Sequence, residues 1–320
     1  MLEELRKKIE ANGGFVNAHS HLDRANTARF FSKEEQYKFL EEKWKLVDRI
    51  KNESNYWSYY SRIDKAVSEQ LEKGVTTICT FVDVDPVTSS KAYIAAREIG
   101  EKRKFDVTLL TAMQTLKGVL DPNCQTLMRN AAAGVNILGS LPGADKGRED
   151  EHIDWVMNAA KKYKKRVHVH VDQLNTPKEK ETEWLARKTI EHGLEGKVTA
   201  VHSISLACHP IAYRKEVYKI CQDAGLSFIT CPGAWIDHPR REDLAPIHNA
   251  ITPVDELLAH DLVVAIGSDN IYDVYKPFAD GDMMFELRML LEACKIYDED
   301  ELVKIATVNG RKILGMKQRD

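Results

Sequence analysis

The 320-residue sequence has no Cys-x-x-Cys pair; its six cysteines, at 79, 124, 208, 221, 231 and 294, are scattered. That excludes a zinc ribbon or a disulfide framework and fits a reducing, cytoplasmic setting. No apolar run is long enough to cross a bilayer, and the N-terminal MLEELRKKIEANGG has no apolar segment of secretory type, so no membrane partner is expected. Charge of one sign is also lacking. A formal net charge of −3 provides no basic field for nucleic acid. No low-complexity tract, internal repeat or Pro/Ser-rich linker interrupts the chain, which predicts one domain over residues 1–320.

What is present is alternation. Short β-branched runs begin at Phe15, Val75, Val107, Val135, Arg166, Val198, Ser227 and Leu262, and longer amphipathic stretches such as EDEHIDWVMNAAKKYKK separate them. Near-continuous apolar strands alternating with helices read as parallel strands buried on both faces. Eight such units predict an α/β fold, a (β/α)8 TIM barrel. Gly74, Gly134 and Gly225 stand between helix and strand, where a left-handed C-cap residue is expected. Residues 26–55 read as a long helical excursion near the barrel mouth.

The polar residues gather at strand ends. His19 and His21 close the first strand, Gln114 the third, His170 the fifth, His202 the sixth and Asp269 the eighth. In such a barrel the C-terminal strand ends converge on one face. The His-x-His spacing has the period of a strand and sends both rings the same way. His168 shares the parity of His170, so periodicity alone admits either. Several imidazoles and one carboxylate suit a divalent Zn, Fe or Mn ion better than Ca or Mg.

VNAHSHLDRA, the Gln of TAMQ, VHVHVDQ, TAVHS and AIGSDNIYDVYKPFADGDM together resemble the amidohydrolase superfamily, in its cytosine deaminase and N-isopropylammelide isopropylaminohydrolase branch. The resemblance runs from about Asn12 to about Gly315. It implies His19, His21, His170 and Asp269 as ligands of one divalent metal ion, His202 as the histidine beside the attacked group, and Gln114 as a substrate contact. It also selects His170 over His168. The fourth strand, VNILGSLPG, has no lysine, whereas two-metal members carry a carboxylated lysine there; one ion is therefore expected. Cytosine deaminases place a proton-shuttling glutamate where this chain has Gln173, and an amide cannot shuttle a proton. Gln173 is kept as a substrate contact. Family members begin and end in a small β-sandwich, which this sequence is expected to lack, with self-association into a homo-oligomer as a substitute cover.

The implied reaction is hydrolytic deamination, or amine release, from a pyrimidine- or triazine-like heterocycle. Asp269 serves as ligand and base, and Asp172, expected to face the same way as His170, is a second candidate to carry the proton or else a hydrogen-bond partner of a ligand histidine. Trp235, Tyr272 and Tyr275 follow the seventh and eighth strands and are candidates to stack on a planar ring or, equally, to pack at the barrel rim. Asp83 and Asp85 are inner polar contacts or turn residues, with a structural role favoured for Asp85. Hydrolysis of a cyclic amide and a non-catalytic ligand-binding barrel are the rival readings.

Overall fold

The computed structural model describes residues 1–32, 34, 38–236 and 249–316. Eight parallel strands run in the order of the chain: β1 (Phe15–Ser20), β2 (Val75–Asp83), β3 (Thr108–Gln114), β4 (Ile137–Ser140), β5 (Arg166–Val171), β6 (Val198–His202), β7 (Ser227–Thr230) and β8 (Val263–Ile266). Outside them lie α1 (Leu2–Ala11), α2 (Leu40–Asn52), α3 (Tyr56–Glu72), α4 (Lys91–Lys102), α5 (Pro122–Ala132) and α6 (Glu149–Tyr163). The remaining helices are α7 (Glu181–Glu191), α8 (Ile211–Asp223), α9 (Val254–Ala259), α10 (Met283–Cys294), α11 (Glu299–Ala306) and α12 (Val308–Ile313). This is a (β/α)8 barrel, and all eight strands begin within two residues of the positions read from the sequence.

The strands bury two faces. Val16, Phe81, Ala112, Ile137, Val201, Ile229 and Ala265 fill the interior, while Ile78, Val82, Val167, Val169 and Val264 pack outward against the helices. The seam between β8 and β1 is closed by backbone bonds at the top: Asp269 N donates to His19 O at 3.0 Å, and His21 N donates to Asp269 O at 3.0 Å. Gly267 permits this approach, because a Cβ there would stand 2.7 Å from His19 O. The seam thus brings His19, His21 and Asp269 together through the main chain before any side chain acts.

Gly74 and Gly225 take the expected left-handed φ, 82° and 56°. Gly134 does not; it is required for space, since a Cβ would strike the Tyr93 hydroxyl. Within residues 26–55 the chain forms a short turn of helix at Ala28–Phe30 and then α2, while positions 33 and 35–37 of the expected helix lie outside the described residues. Leu40 and Trp44 of α2 face the barrel mouth. Among the described residues no helix is long and apolar enough to cross a membrane.

Candidate metal centre and substrate pocket

Three local departures from regular strand geometry aim the site. Asn17 points outward, where its amide bonds Gln70 and Ser268, so simple alternation would also send His19 outward. The β1–β2 register slips between Asn17 and Ser20, and beyond this irregularity His19 lies inside, 4.6 Å from the Phe81 ring between centroids. On β6, Val201 is the inward residue, and His202 would follow outward. A φ of 75° at His202 turns its ring inward instead, to 5.3 Å from that of His170. Asp269 also has a left-handed φ, 57°. Such backbone in residues other than glycine costs energy and persists where the surroundings enforce it.

His19, His21, His170, His202 and Asp269 are all buried. The Nε2 atoms of His19 and His21 each lie 3.3 Å from one oxygen, Asp269 Oδ1, yet among the described residues that oxygen has no hydrogen-bond partner. Both ring nitrogens of His19 and Nδ1 of His202 are likewise buried without one among the described residues. Ligand atoms of His19, His170 and His202, and again of His19, His21 and Asp269, lie within 4.8 Å of one another. Burial first, then the neighbouring Arg24 charge, holds the His21 imidazole well below its ordinary pKa. Burial and the facing imidazoles do the same to His170, and burial takes His202 down to about 4. Burial would raise the Asp269 carboxyl, but the imidazoles beside it prevail and hold it well below the carboxylate range.

Neutral imidazoles and an ionised carboxylate therefore face one another with lone pairs and too few protons between them. Leaving such groups buried and unpaired is costly. A divalent cation held at about 2.1 Å by nitrogen and oxygen ligands satisfies all of them, so the donor set fits a metal ion. Behind it, His170 Nδ1 lies 3.1 Å from Ser140 O, which fixes the tautomer and leaves Nε2 as the ligand atom. Ser140 Oγ is held by His152 Nε2 at 2.6 Å, and His152 Nδ1 by Asp145 at 2.6 Å.

The pocket above this cluster is lined by Gln114, Gln173, Arg24, Trp44, Leu141 and Tyr275, besides His21, His170, His202 and Asp269. Gln114 and Gln173 thus both line this pocket. Three expected residues are elsewhere. Asp172 has a φ of 54°, which turns it from His170 toward α7, where Oδ1 accepts from Glu181 N at 2.8 Å and Oδ2 from Thr182 N at 3.2 Å. Trp235 is buried in the core, and its Nε1 donates to Thr252 Oγ1 at 3.0 Å. Tyr272 stands at the surface, outside the pocket lining. Tyr275, the third aromatic candidate, does line it. Asp85 is structural, accepting from Val87 N and Thr88 N.

Arg24 was not singled out by the sequence. Its Nε donates to Asp273 at 3.3 Å, its guanidinium lies 4.6 Å above the Tyr275 ring, and its Nη2 is 3.9 Å from Asp269 Oδ1. His152 and Lys51 were not singled out either, because an isolated polar residue on an amphipathic helix reads as surface. The His-x-His-x-x-Arg spacing of the first loop was the one signal available for Arg24.

The sequence profile described as "Amidohydrolase family" matches residues 38–320. An uncharacterized protein of Haemophilus influenzae is 43% identical over 263 residues, covering 79% of this chain and 94% of its own length. N-isopropylammelide isopropyl amidohydrolase of Pseudomonas is 26% identical over 331 aligned positions, covering 98% of this chain and 78% of that protein. Among solved structures, 5-methylcytosine deaminase of Klebsiella pneumoniae, liganded with phosphonocytosine, superposes with a TM-score of 0.87 at 25% identity. That match covers 94% of this chain and 75% of the other.

Proposed function

The chain belongs to the amidohydrolase family, and we propose that this hydrolase of non-peptide C–N bonds releases ammonia or an amine from a nitrogen heterocycle, using one divalent metal ion. One observation carries the reading: among the described residues, Asp269 Oδ1 and both ring nitrogens of His19 lie buried without a hydrogen-bond partner, and ligand atoms of His19 lie within 4.8 Å of those of His21 and Asp269 and of those of His170 and His202. The deaminase and aminohydrolase chemistry of the relatives supports the reaction class. A metal ion bound there supplies a water whose pKa is lowered from about 16 toward about 7.

The chain's own residues do the rest. Asp269, held ionised, accepts the proton of the attacking water and returns it to the leaving nitrogen as the C–O bond forms and the C–N bond breaks. His202, neutral and lining the pocket, hydrogen-bonds the group under attack. The Arg24 guanidinium faces the same cavity and stabilises the electron density that builds on the ring nitrogens during addition. Gln114 and Gln173 orient the ring, while Trp44 and Tyr275 supply flat apolar walls and exclude water.

The test is metal content of the purified protein beside His170→Ala, followed by amine-release assays on cytosine, 5-methylcytosine and N-isopropylammelide. About one equivalent of Zn, Fe or Mn in the wild type, lost in the variant, together with amine release, is the expected result. A protein that takes up no metal on reconstitution overturns the reading, and ring opening without amine release moves it to cyclic-amide hydrolysis.

A further inference from the structure

Lys51 is a lysine in the interior. It lies in the last turn of α2, is 4% exposed, and places its ammonium 2.7 Å from Asp83 Oδ2 and 2.6 Å from Asp85 Oδ2. Asp85 is committed to its own turn, accepting from Val87 N at 2.8 Å and Thr88 N at 2.9 Å. Asp83 is not. Its second oxygen, Oδ1, receives Gln114 Nε2 at 3.0 Å. A carboxylate paired with an ammonium can only accept, so the group it holds must be the amide NH2 and not the amide oxygen. The same nitrogen is 3.5 Å from His21 Nδ1, a contact too long to compete. Among the described residues, Gln114 Oε1 is consequently left buried without a partner, on a residue that lines the pocket.

We propose that Lys51 is a positioning residue: through Asp83 it locks the Gln114 amide with its carbonyl oxygen toward the pocket, so that the site selects heterocycles presenting a ring N–H or amino donor there. The substrate half rests on the function proposed above; the lock itself does not. The same helix supplies Leu40 and Trp44 to the pocket wall, so the seating of α2 and the polarity of Gln114 are set together. A substrate with only acceptors at this position would face an unpaired buried oxygen, which is the kind of mismatch that gives strong discrimination.

The experiment uses the full chain with 15N-labelled glutamine side chains, and the Gln114 NH2 pair is identified by its loss in Gln114→Glu. The wild-type pair is expected to exchange slowly with solvent. Lys51→Met should shift it and speed its exchange by about tenfold or more, and Lys51→Arg should restore it. Asp83→Asn is the second variant: Lys51 retains the new amide's oxygen, the NH2 turns to Gln114, and the Gln114 amide flips. The Gln70 pair, bonded to Gly281 O at 2.7 Å away from this site, reports whether each variant is folded. A Gln114 pair unmoved in folded Lys51→Met overturns the lock, whatever the activity. For the substrate half, wild type should bind cytosine about tenfold more tightly than 1-methylcytosine, and Lys51→Met should lose that ratio. Equal binding by the wild type, or no binding of either, overturns the donor selection. Wild type that releases no amine from any heterocycle overturns the proposed function, with the resonance still deciding the lock.

Discussion

His170 and Asp172 are two residues apart, yet they belong to two buried clusters of ionisable groups that behave in opposite ways. In the first, His19, His21, His170, His202 and Asp269 meet across the barrel mouth, and among the described residues His19 Nδ1 and Nε2, His202 Nδ1 and Asp269 Oδ1 have no hydrogen-bond partner. In the second, Asp172, Glu179 and Glu181 lie behind β5, and the chain serves each of them. Asp172 caps the start of α7 and donates its own N–H to Glu181 Oε2 at 3.0 Å. Glu179 Oε2 accepts from Leu174 N and Ser205 Oγ, both at 2.6 Å. The two clusters both bring ionisable side chains into the protein interior, at or beyond the C-terminal ends of the strands. What separates them is the supply of donors. Ionisable groups satisfied by backbone N–H groups organise a loop, whereas those left unsatisfied mark the place where something else binds.

Exchanging the roles would break this contrast. Asp269→Asn should lower amine release by about a thousandfold or more without lowering the melting temperature, measured on the metal-reconstituted protein; retained turnover would remove Asp269 from the mechanism. Asp172→Ala should do the reverse. It loses a cap on α7 and leaves two N–H groups unpaired, at a cost of about 2 kcal/mol in denaturant unfolding, with the wild-type metal stoichiometry retained. A variant as stable as wild type but short of metal would place Asp172 in the first cluster after all.

Glu179 sharpens the comparison through pH. Burial first, then the charge of Asp172, pushes its carboxyl up from 4.5 to about 8. A raised pKa means that the native state holds this proton more tightly than the unfolded chain, so stability falls as pH rises from about 4.5 through about 8. Glu179→Gln removes that slope, and its unfolding free energy in denaturant should pull ahead of wild type between pH 6 and pH 9, by on the order of 2 kcal/mol at the upper end. A gap that does not widen with pH would show that Glu179 titrates normally. The smallest effect is expected at Trp235, which lies outside both clusters: Trp235→Phe forfeits one hydrogen bond to Thr252, about 1 kcal/mol, and should leave KM unchanged. A raised KM would return Trp235 to the pocket.

The amino-acid sequence by itself determined the alternation of strands and helices, because β-branched runs and amphipathic stretches have different periods. It also determined which residues close the strands, since in a parallel barrel chain order alone sends every C-terminal end to one face. The orientation of those end residues was decided only in three dimensions. Regular alternation misdirects His19, His202 and Asp172, because an irregular register at β1 and left-handed backbone at two loop starts override parity. Gly134 shows the same limit: its glycine reads as a left-handed cap, but the structure requires only room for Tyr93. Lys51 and Arg24 look like solvated surface charges, and become interior groups because Asp83, Asp85 and Asp273, distant in the chain, meet them. Periodicity is local and can be read along the chain. The pairing of charges and the supply of hydrogen-bond donors depend on which distant segments meet, and only the closed barrel brings them together.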